Sequence, residues 1–312
     1  GVRGKLISLL FLDTNNPENT EDDRKLTSYL YGTGHLYRLR QEIVLGIGGV
    51  KVLRELGFNP RKYHLNEGHA AFLTLELYRE LRSLDCEGAA CHTEKQSIIR
   101  QLCSFTTHTP VAAGHDEFGV DMVQSQLGDQ LPRPVLDMVS HNGRFSMTRL
   151  ALHFSSYVNA VARKHQEVSM RMFPDFNIDY ITNGVHTVTW VNSHHAQLFD
   201  KHIIDWRVNS LELRNSHKIP LKELRASHRK AKDDLFAFVQ ERTGVALDPE
   251  VFTIGFARRA AGYKRAHLLF RDVERLKRIS RTVGRIQLIF AGKAHPNDEG
   301  GKHTIQHIFN IA

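Results

Sequence analysis

Long apolar runs are missing from this sequence, and their absence restricts where the protein can work. No stretch approaches the roughly 20 apolar residues that a membrane-spanning helix needs. The first residues also lack the charged-then-apolar pattern of a secretory signal peptide. We therefore expect a cytoplasmic protein that has no membrane partner.

Cysteine is equally scarce. The chain contains Cys86, Cys91 and Cys103, and no pair of them has the CxxC spacing of a zinc knuckle or a redox motif. An odd and unpatterned set of cysteines argues against a disulfide framework. We expect three reduced thiols without a chemical role.

Charge of one sign is not concentrated on a single face. The 312 residues carry a formal net charge of +8, with 24% charged and 41% hydrophobic residues, a balance typical of folded globular proteins. Basic residues are scattered among acidic ones along helix-like segments, so we expect no nucleic-acid partner. The length allows two domains, each with its own core.

Complete nucleotide-binding and hydrolase motifs are missing too. The stretch "GIGGVK" lacks the third glycine of a dinucleotide fingerprint and lies within a helical pattern. "DEGGKHT" has Pro296 where a phosphate-binding loop needs its first glycine, and no GxSxG nucleophile motif occurs. These absences exclude the common sequence signatures of both classes.

The sequence does contain an alternation of strand-like and helix-like segments. Strands are predicted at residues 6–13, 62–66, 178–182, 251–257 and 285–292. Helices are predicted at residues 37–57, 68–84, 145–171 and 221–243, from Tyr263 onward, and at the C-terminal end. This alternation predicts an α/β fold with parallel sheets covered by helices.

Two further features concern how the chain is organised. Residues 182–210 are less periodic and rich in turn formers, and we predict a hinge between two α/β domains there. The final residues stop within an amphipathic pattern, without a glycine or proline to end a helix. We expect the sequence to be an internal piece of a longer polypeptide.

Four basic side chains fall within eight residues directly after the strand-like run at 251–257: Arg258, Arg259, Lys264 and Arg265. In an open α/β sheet, ligands bind at the carboxyl ends of strands, where helix N-termini already favour anions. Two forked guanidinium groups and an ammonium group at this position suit a phosphate. The alternative is a solvated helix start whose charges pair with Asp272 and Glu274.

The stretch "HLNEGHAAF" places His64, Asn66, Glu67 and His69 at a strand end and a helix start. Histidine and carboxylate side chains can bind zinc, but neither HExxH spacing nor a third ligand motif is present. We therefore predict no metal, and a hydrogen-bonded structural role for Glu67 and His69.

A third polar stretch, "FTTHTPVAAGHDEF", contains His108, His115 and Asp116. Pro110 removes a backbone donor and Gly114 permits an unusual turn, so we predict an ordered loop. Two interpretations are open at this point: a catalytic pair formed by a histidine of this stretch and Asp116, and simple loop hydrogen bonding by His115 and Asp116.

Six stretches in order resemble the α-glucan phosphorylases, the glycogen or maltodextrin phosphorylase family, and most closely its shorter bacterial branch. They are "HLNEGHAAF", "TTHTPVAAGHDEF", "NAVARKH", "TNGVHTVTW", "GFARRAAGYKRA" and "AGKAHPNDEGGK". The resemblance implies a GT-B architecture, in which two Rossmann-like domains face each other across an active-site cleft. Residues 1–190 would be the C-terminal part of the first domain and residues 191–312 the start of the second, so that both are incomplete.

The resemblance also implies a reaction. Inorganic phosphate removes the terminal glucose of an α-1,4-glucan or maltodextrin as glucose 1-phosphate, with retention of the anomeric configuration. Pyridoxal phosphate is the implied cofactor, and its 5′-phosphate assists proton transfer. The implied partners are the glucan, inorganic phosphate and glucose 1-phosphate, with a homo-oligomer as a further expectation.

Roles of single residues follow by motif position. Arg259 and Lys264 would hold phosphate, with Arg258 beside them, and His108 would contact the glucosyl unit near the scissile bond. The resemblance makes His108, Arg259 and Lys264 the catalytic set. Substrate-binding positions are completed by Glu67, His69 and Asn183, whereas Gly292 and Lys293 follow the next strand without an assigned role.

The sequence departs from the family pattern in several places. Ala260, Ala261 and Gly262 replace bulkier residues, and Ala160 stands where glycine is common. In the family, the lysine that forms the Schiff base lies beyond the last motif present here, so we expect the isolated chain to be inactive. Two alternatives are a nucleotide-sugar-dependent glucan synthase of the same architecture and a non-catalytic glucan-binding fragment.

Overall fold

The computed structural model describes residues 7–30, 34–83, 88–296 and 298–311. The chain forms two compact units, Gly1–Asn183 and Gly184–Ala312. The boundary falls within the segment 182–210 where the sequence predicts a hinge. The assignment of residues 1–190 and 191–312 to two Rossmann-like domains remains a prediction.

The first unit contains helices and strands in alternation. Its helices are α1 (Glu21–Arg24), α2 (His35–Ile43), α3 (Gly49–Glu55), α4 (Leu73–Glu80), α5 (Gly88–Leu102), α6 (Val120–Leu127), α7 (Arg133–Val139), α8 (Met147–His153) and α9 (Arg163–Met172). Its strands are β1 (Tyr63–Asn66), β2 (Cys103–Thr107), β3 (Glu117–Gly119), β4 (Ser140–His141), β5 (Arg144–Ser146), β6 (Tyr157–Ala160) and β7 (Asp179–Tyr180).

Four of these strands form a parallel sheet in the order β1-β2-β6-β7. The register pairs Asn66 with Thr106 and Thr107 with Ala160. Strand β7 extends the sheet by pairing Ala160 with Tyr180. A small antiparallel sheet, β3-β5-β4, lies in the same unit. The α/β class with a parallel sheet, predicted from the sequence, is confirmed.

Helices pack against the parallel sheet and share one hydrophobic core with it. Leu65 of β1 and Phe105 of β2 are fully buried, as are Phe72, before α4, and Leu150 of α8. The strands themselves are mixed in character: in β1, Tyr63 and Leu65 are buried, whereas His64 and Asn66 are exposed. The core therefore holds the sheet rigid beneath its polar carboxyl edge.

Helix α2 continues through a π-helical turn, Val44–Gly48, into α3. The turn lies against the start of α4: a Cβ at Gly46 would come within 2.7 Å of the Leu73 backbone nitrogen. Only glycine allows so close a backbone approach. The "GIGGVK" stretch is thus a helix-packing feature, in agreement with the rejection of a dinucleotide motif.

Two predictions for the first unit are wrong. Residues 7–13 form no strand, and Ile7 and Phe11 are 75% and 84% exposed, because no strand of the described region pairs with them. The helix predicted over 145–171 is divided into the end of β5, α8, β6 and α9. Ser146 caps α8 by accepting from the Arg149 N–H, and the chain then extends to join the sheet beside β2.

The second unit begins with α10 (Thr187–Trp190), α11 (Ser193–His202) and α12 (Leu221–Thr243). It continues with β8 (Phe252–Ala257), α13 (Val273–Thr282), β9 (Ile286–Ala291) and α14 (Glu299–Ile311). Strands β8 and β9 pair in parallel along their full length. The strands and helices predicted at 251–257, 285–292 and 221–243 and at the C-terminal end are confirmed.

The helix predicted to begin at Tyr263 does not form there. Two short 3₁₀ turns, Gly262–Lys264 and Ala266–Phe270, precede α13, and Arg265 between them adopts a left-handed conformation with φ 54°. Asp272 then starts α13 by accepting from the Arg275 N–H. The basic residues consequently lie in a loop instead of the first turn of an α-helix.

Two sequence-level expectations about composition can be compared with the structure. Cys103 is a free, buried thiol, but Cys91 is disulfide-bonded, so the expectation of three reduced cysteines is wrong for Cys91. Among the helices of the described residues, none combines the length and the apolar character needed to cross a bilayer.

Candidate functional site: polar residues at the strand ends

The carboxyl edge of the parallel sheet brings together residues that the sequence singled out separately. Glu67 directly follows β1 and His108 directly follows β2. Asn183 follows β7, and its backbone N–H donates to the Val161 carbonyl beyond β6 at 3.2 Å. Because all four strands run the same way, their carboxyl ends meet at one edge, where α/β proteins bind ligands.

Glu67 connects the first two of these strand ends. Its side chain is buried, and Oε1 accepts hydrogen bonds from the backbone N–H groups of His108 and Thr109, both at 3.0 Å. The predicted helix-start role of Glu67 becomes a cross-strand contact. His108 and Asn183 themselves are exposed at this edge.

Two further histidines lie buried or half-buried beneath the same edge. His115 has its Nδ1 2.9 Å from Thr148 Oγ1, and its ring stacks edge-on against Phe173. His165 of α9 accepts from the Val161 N–H through Nδ1 at 3.3 Å. Burial lowers the pKa of both histidines, which favours their neutral forms. His165 lies in the "NAVARKH" stretch, but its position there predicts no role for it.

Asp116 does not form a pair with His115. It contacts His69 instead, with Oδ2 3.1 Å from Nδ1, and it accepts a hydrogen bond from Arg38 at 2.9 Å. Of the predicted histidine–aspartate pairs, the one between His115 and Asp116 is therefore not formed. The loop interpretation is correct for His115, whereas Asp116 belongs to a different cluster.

This second cluster consists of Arg38, Glu42, His69 and Asp116, and we call it the charged cluster. Arg38 Nη2 lies 2.7 Å from His69 Nδ1, and Arg38 Nε lies 3.1 Å from Glu42 Oε1. Glu42 is 1% exposed. Arg38 and Glu42 are four residues apart on α2, so the helix alone places them side by side.

Burial and neighbouring charges set the protonation of the charged cluster. Burial raises the pKa of Glu42 to about 8. Burial also opposes ionisation of Asp116, but hydrogen bonds with His69 and Glu42 and the Arg38 charge outweigh it and hold the pKa of Asp116 below its usual range. Hydrogen bonds to Asp116 and Glu42 raise the pKa of His69 to about 9 against the opposing charge of Arg38.

The charged cluster contains the donor types of a metal site. Ligand atoms of Glu42, His69 and Asp116 lie within 4.8 Å of one another. The Arg38 guanidinium contacts all three, however, and so supplies the positive charge that a divalent cation would bring. The absence of a functional metal remains a prediction, supported by this arginine.

We expect the stability of the protein to fall as pH rises from 6 to 8, because of Glu42. The folded state holds the Glu42 proton up to a pKa of about 8, whereas the unfolded chain releases it near 4.5. Folding is therefore favoured at low pH by this group, and the contribution is lost as pH rises, at up to about 1.4 kcal/mol per pH unit. His69 acts with the same sign, and Asp116 is ionised throughout this range.

Urea unfolding at several pH values measures this dependence. Glu42→Gln should flatten the decrease in the free energy of unfolding between pH 6 and 8, since glutamine cannot ionise. Glu80→Gln, at a half-exposed carboxyl group paired with Arg54, is the matched control and should leave the slope unchanged. An unaltered slope in Glu42→Gln would contradict this assignment of the proton.

The basic loop of the second unit also lies at a strand end. Arg258 follows β8, and its N–H donates to the Ala291 carbonyl at the end of β9, while the Ala260 N–H donates to Lys293. Gly292 has φ +141°, and a Cβ there would lie 2.1 Å from the Arg258 carbonyl oxygen. Gly301 of α14 approaches the Ala260 carbonyl similarly closely. The loop backbone is thus fixed by two glycines that admit no side chain.

The cationic side chains of this loop point outward from that fixed backbone. Arg258 and Arg259 are exposed, Lys264 is half-buried with its Nζ 5.2 Å from the Tyr263 ring centroid, and Arg265 is exposed. Glu274 bonds Lys277 at 3.0 Å, and Asp272 caps α13. The sequence also allows an alternative in which the basic residues pair with Asp272 and Glu274. The observed contacts of these two acids do not support it for Arg258 and Lys264.

Comparison with known proteins gives concordant similarities. A profile of the carbohydrate phosphorylases matches residues 134–312. A maltodextrin phosphorylase from Thermococcus litoralis is 37% identical over 337 residues, covering 98% of this chain and 40% of that protein. Glycogen phosphorylases from Aquifex aeolicus and Mycobacterium tuberculosis are each 36% identical, and the matches cover 97% and 98% of this chain. The chain spans 49% and 41% of those two proteins.

Proposed function

Because this chain belongs to the carbohydrate phosphorylase family, we propose that the protein containing it is an α-glucan phosphorylase. It transfers the terminal glucosyl unit of an α-1,4-glucan to inorganic phosphate, with retention, and releases glucose 1-phosphate. The named relatives, which are maltodextrin and glycogen phosphorylases, support this reaction and this substrate class.

The polar residues at the strand ends of the two units support this proposal. Each unit presents polar side chains of a different kind where its parallel strands end. The first unit offers hydrogen-bonding groups, His108 and Asn183, and the second offers cations, Arg258, Arg259 and Lys264. A reaction between a sugar and a phosphate needs both kinds. We further propose a GT-B arrangement, in which the two units face each other across the active-site cleft.

Within this proposal, the first unit binds the sugar. His108 contacts the glucosyl unit near the scissile bond, where positive charge develops on the ring in the transition state, and Asn183 binds a sugar hydroxyl. His69 and Glu67 lie beside this pocket. Hydrogen bonds that are stronger in the transition state than in the bound ground state lower the barrier to breaking the glycosidic bond. Contacts that are equally strong in both states do not.

The second unit binds the phosphate. Arg259 and Lys264 hold the attacking phosphate, with Arg258 beside them, because fixed cations stabilise the negative charge that moves between phosphate and sugar. The close contacts of Gly292 and Gly301 support this role, since a preorganised loop needs no rearrangement during the reaction.

Pyridoxal phosphate, when bound, supplies through its 5′-phosphate the group that exchanges a proton with the substrate phosphate. The donor set fits this cofactor: several cations project from one rigid loop, and two adjacent phosphates require more positive charge than one. Lys264 and Arg259 are the residues that would separate and orient the two anions. This assignment of the cofactor is part of the proposal.

The proposal is tested by supplying the protein that carries this chain with maltodextrin, inorganic phosphate and pyridoxal phosphate. Release of glucose 1-phosphate is the expected result. Glucan elongation from a nucleoside diphosphate glucose, without phosphorolysis, would instead support the synthase alternative. Glucan binding without either reaction would favour the non-catalytic alternative and overturn the proposed function.

A further inference from the structure

Glu67 makes a contact that differs from the sugar-binding role implied by motif position. Its Oε1 accepts both N–H groups at the start of the loop after β2, those of His108 and Thr109, at 3.0 Å each. The next residue, Pro110, has no N–H to offer. One buried carboxyl oxygen therefore satisfies the backbone donors at the point where the His108 side chain emerges.

The Glu67 backbone is held in an unfavourable conformation to make this contact. Its φ is 65°, in the left-handed region that a glutamate rarely adopts, and its own N–H donates to the Thr106 carbonyl at 2.9 Å. Such a conformation is strained and persists where the surrounding structure fixes it. The strain and the hydrogen bonds together tie the end of β1 to the end of β2.

The two residues that Glu67 connects differ in exposure. Glu67 is 5% exposed, whereas His108 is exposed at the edge of the sheet. Thus the backbone of His108 is fixed from below while its imidazole ring remains accessible to a ligand. The second carboxyl oxygen of Glu67, Oε2, is buried and has no hydrogen-bond partner among the described residues.

The geometry points to Glu67 as a positioning residue for the sugar site, an inference that rests on the function proposed above. Through Oε1 it fixes the backbone of His108 and Thr109, so that the His108 ring is held where the glucosyl unit binds. Glu67 acts through the length of its side chain and the position of its acceptor oxygen. Its charge does not act on the reacting atoms.

Three substitutions separate these two roles. Glu67→Gln keeps an acceptor oxygen at the same distance from the backbone but removes the charge. Glu67→Asp keeps the charge but is shorter by one methylene group, so its oxygens fall short of His108 and Thr109. Glu67→Ala removes both. Glu76→Ala is the matched control, because Glu76 is equally buried but pairs with Arg79 on α4.

Amide hydrogen exchange on this chain measures the contact without requiring activity. The amides of His108 and Thr109 should exchange about tenfold faster in Glu67→Asp and Glu67→Ala, because each loses a hydrogen bond worth roughly 1–1.5 kcal/mol. Glu67→Gln and Glu76→Ala should leave their exchange near that of the unmodified chain. If Glu67→Ala fails to fold, the comparison of Glu67→Gln with Glu67→Asp still decides. The inference is overturned if the His108 and Thr109 amides stay protected from exchange in Glu67→Asp and lose protection in Glu67→Gln.

Kinetics of the protein that carries this chain give the second readout. Glu67→Gln should retain most of kcat, and Glu67→Asp should lower kcat with little change in KM for glucan. Equal losses of kcat in Glu67→Gln and Glu67→Ala would show that the charge of Glu67 acts directly. That result would overturn the positioning role. An unmodified protein without phosphorolysis would refute the proposed function instead, and the exchange experiment would remain the test of Glu67.

Discussion

In the protein that carries this chain, the phosphate role proposed for Lys264 predicts that Lys264→Ala lowers the rate of phosphorolysis by roughly 100-fold or more. The ammonium group is expected to contact the phosphate as charge moves onto it, and loss of such a contact costs on the order of 3 kcal/mol. Affinity for the glucan should change little, because the groups proposed to bind the sugar belong to the other unit. The measurement is the initial rate of glucose 1-phosphate release, together with glucan binding.

The matched control for this prediction is Lys277→Ala. Lys277 is also a basic side chain of the second unit, but it pairs with Glu274 on the exposed face of α13. Its removal changes the net charge equally and should leave the rate within about twofold, since exposed pairs contribute little. Equal rates for Lys264→Ala and the unmodified protein would remove the phosphate role of the loop.

Replacing Gly292 with alanine will disrupt the same loop from beneath. The added Cβ would lie 2.1 Å from the Arg258 carbonyl oxygen, and the φ of +141° is itself unfavourable for alanine. The loop must move, which breaks the hydrogen bonds from Arg258 to Ala291 and from Ala260 to Lys293. We expect phosphorolysis to fall at least about tenfold, because displacement of positioned groups by about 1 Å carries large rate costs.

Gly244→Ala distinguishes local disruption from a general effect of alanine at positive φ. Gly244 ends α12 with φ +74°, but nothing lies within 4 Å of a Cβ built there. Both variants should lose stability in urea unfolding, and only Gly292→Ala should lose affinity for inorganic phosphate. Equal phosphate affinities in the two variants would show that the loop does not depend on this close approach.

Several local features were predictable because they depend on neighbouring residues alone. Short apolar runs predict β8 and β9, a short strand candidate coincides with β1, and the bounds predicted for α12 are the observed ones, with Gly244 at its C-terminal end. The position of the polar residues directly after strands was also visible, as for Glu67 and Arg258. In these cases, side-chain type and spacing within a few residues carry the information.

Other predictions failed where a distant contact outweighs local pattern. The apolar run at residues 7–13 predicts a strand, but no strand of the described region pairs with it. The region 145–171 has a helix-like pattern, yet β6 within it joins the sheet between β2 and β7. Likewise, Arg265 in a left-handed conformation interrupts the helix predicted from Tyr263.

The sequence by itself determined the α/β class, the family motifs and the residue types gathered at the strand ends. Only the tertiary structure decided which of them touch: Glu67 with the His108 backbone, and Asp116 with His69 and Arg38 in place of its neighbour His115. The physical reason for the first of these contacts is the register of the parallel strands. It joins residues about 40 positions apart in the chain, as Tyr63 joins Cys103, and no spacing within the sequence encodes that alignment.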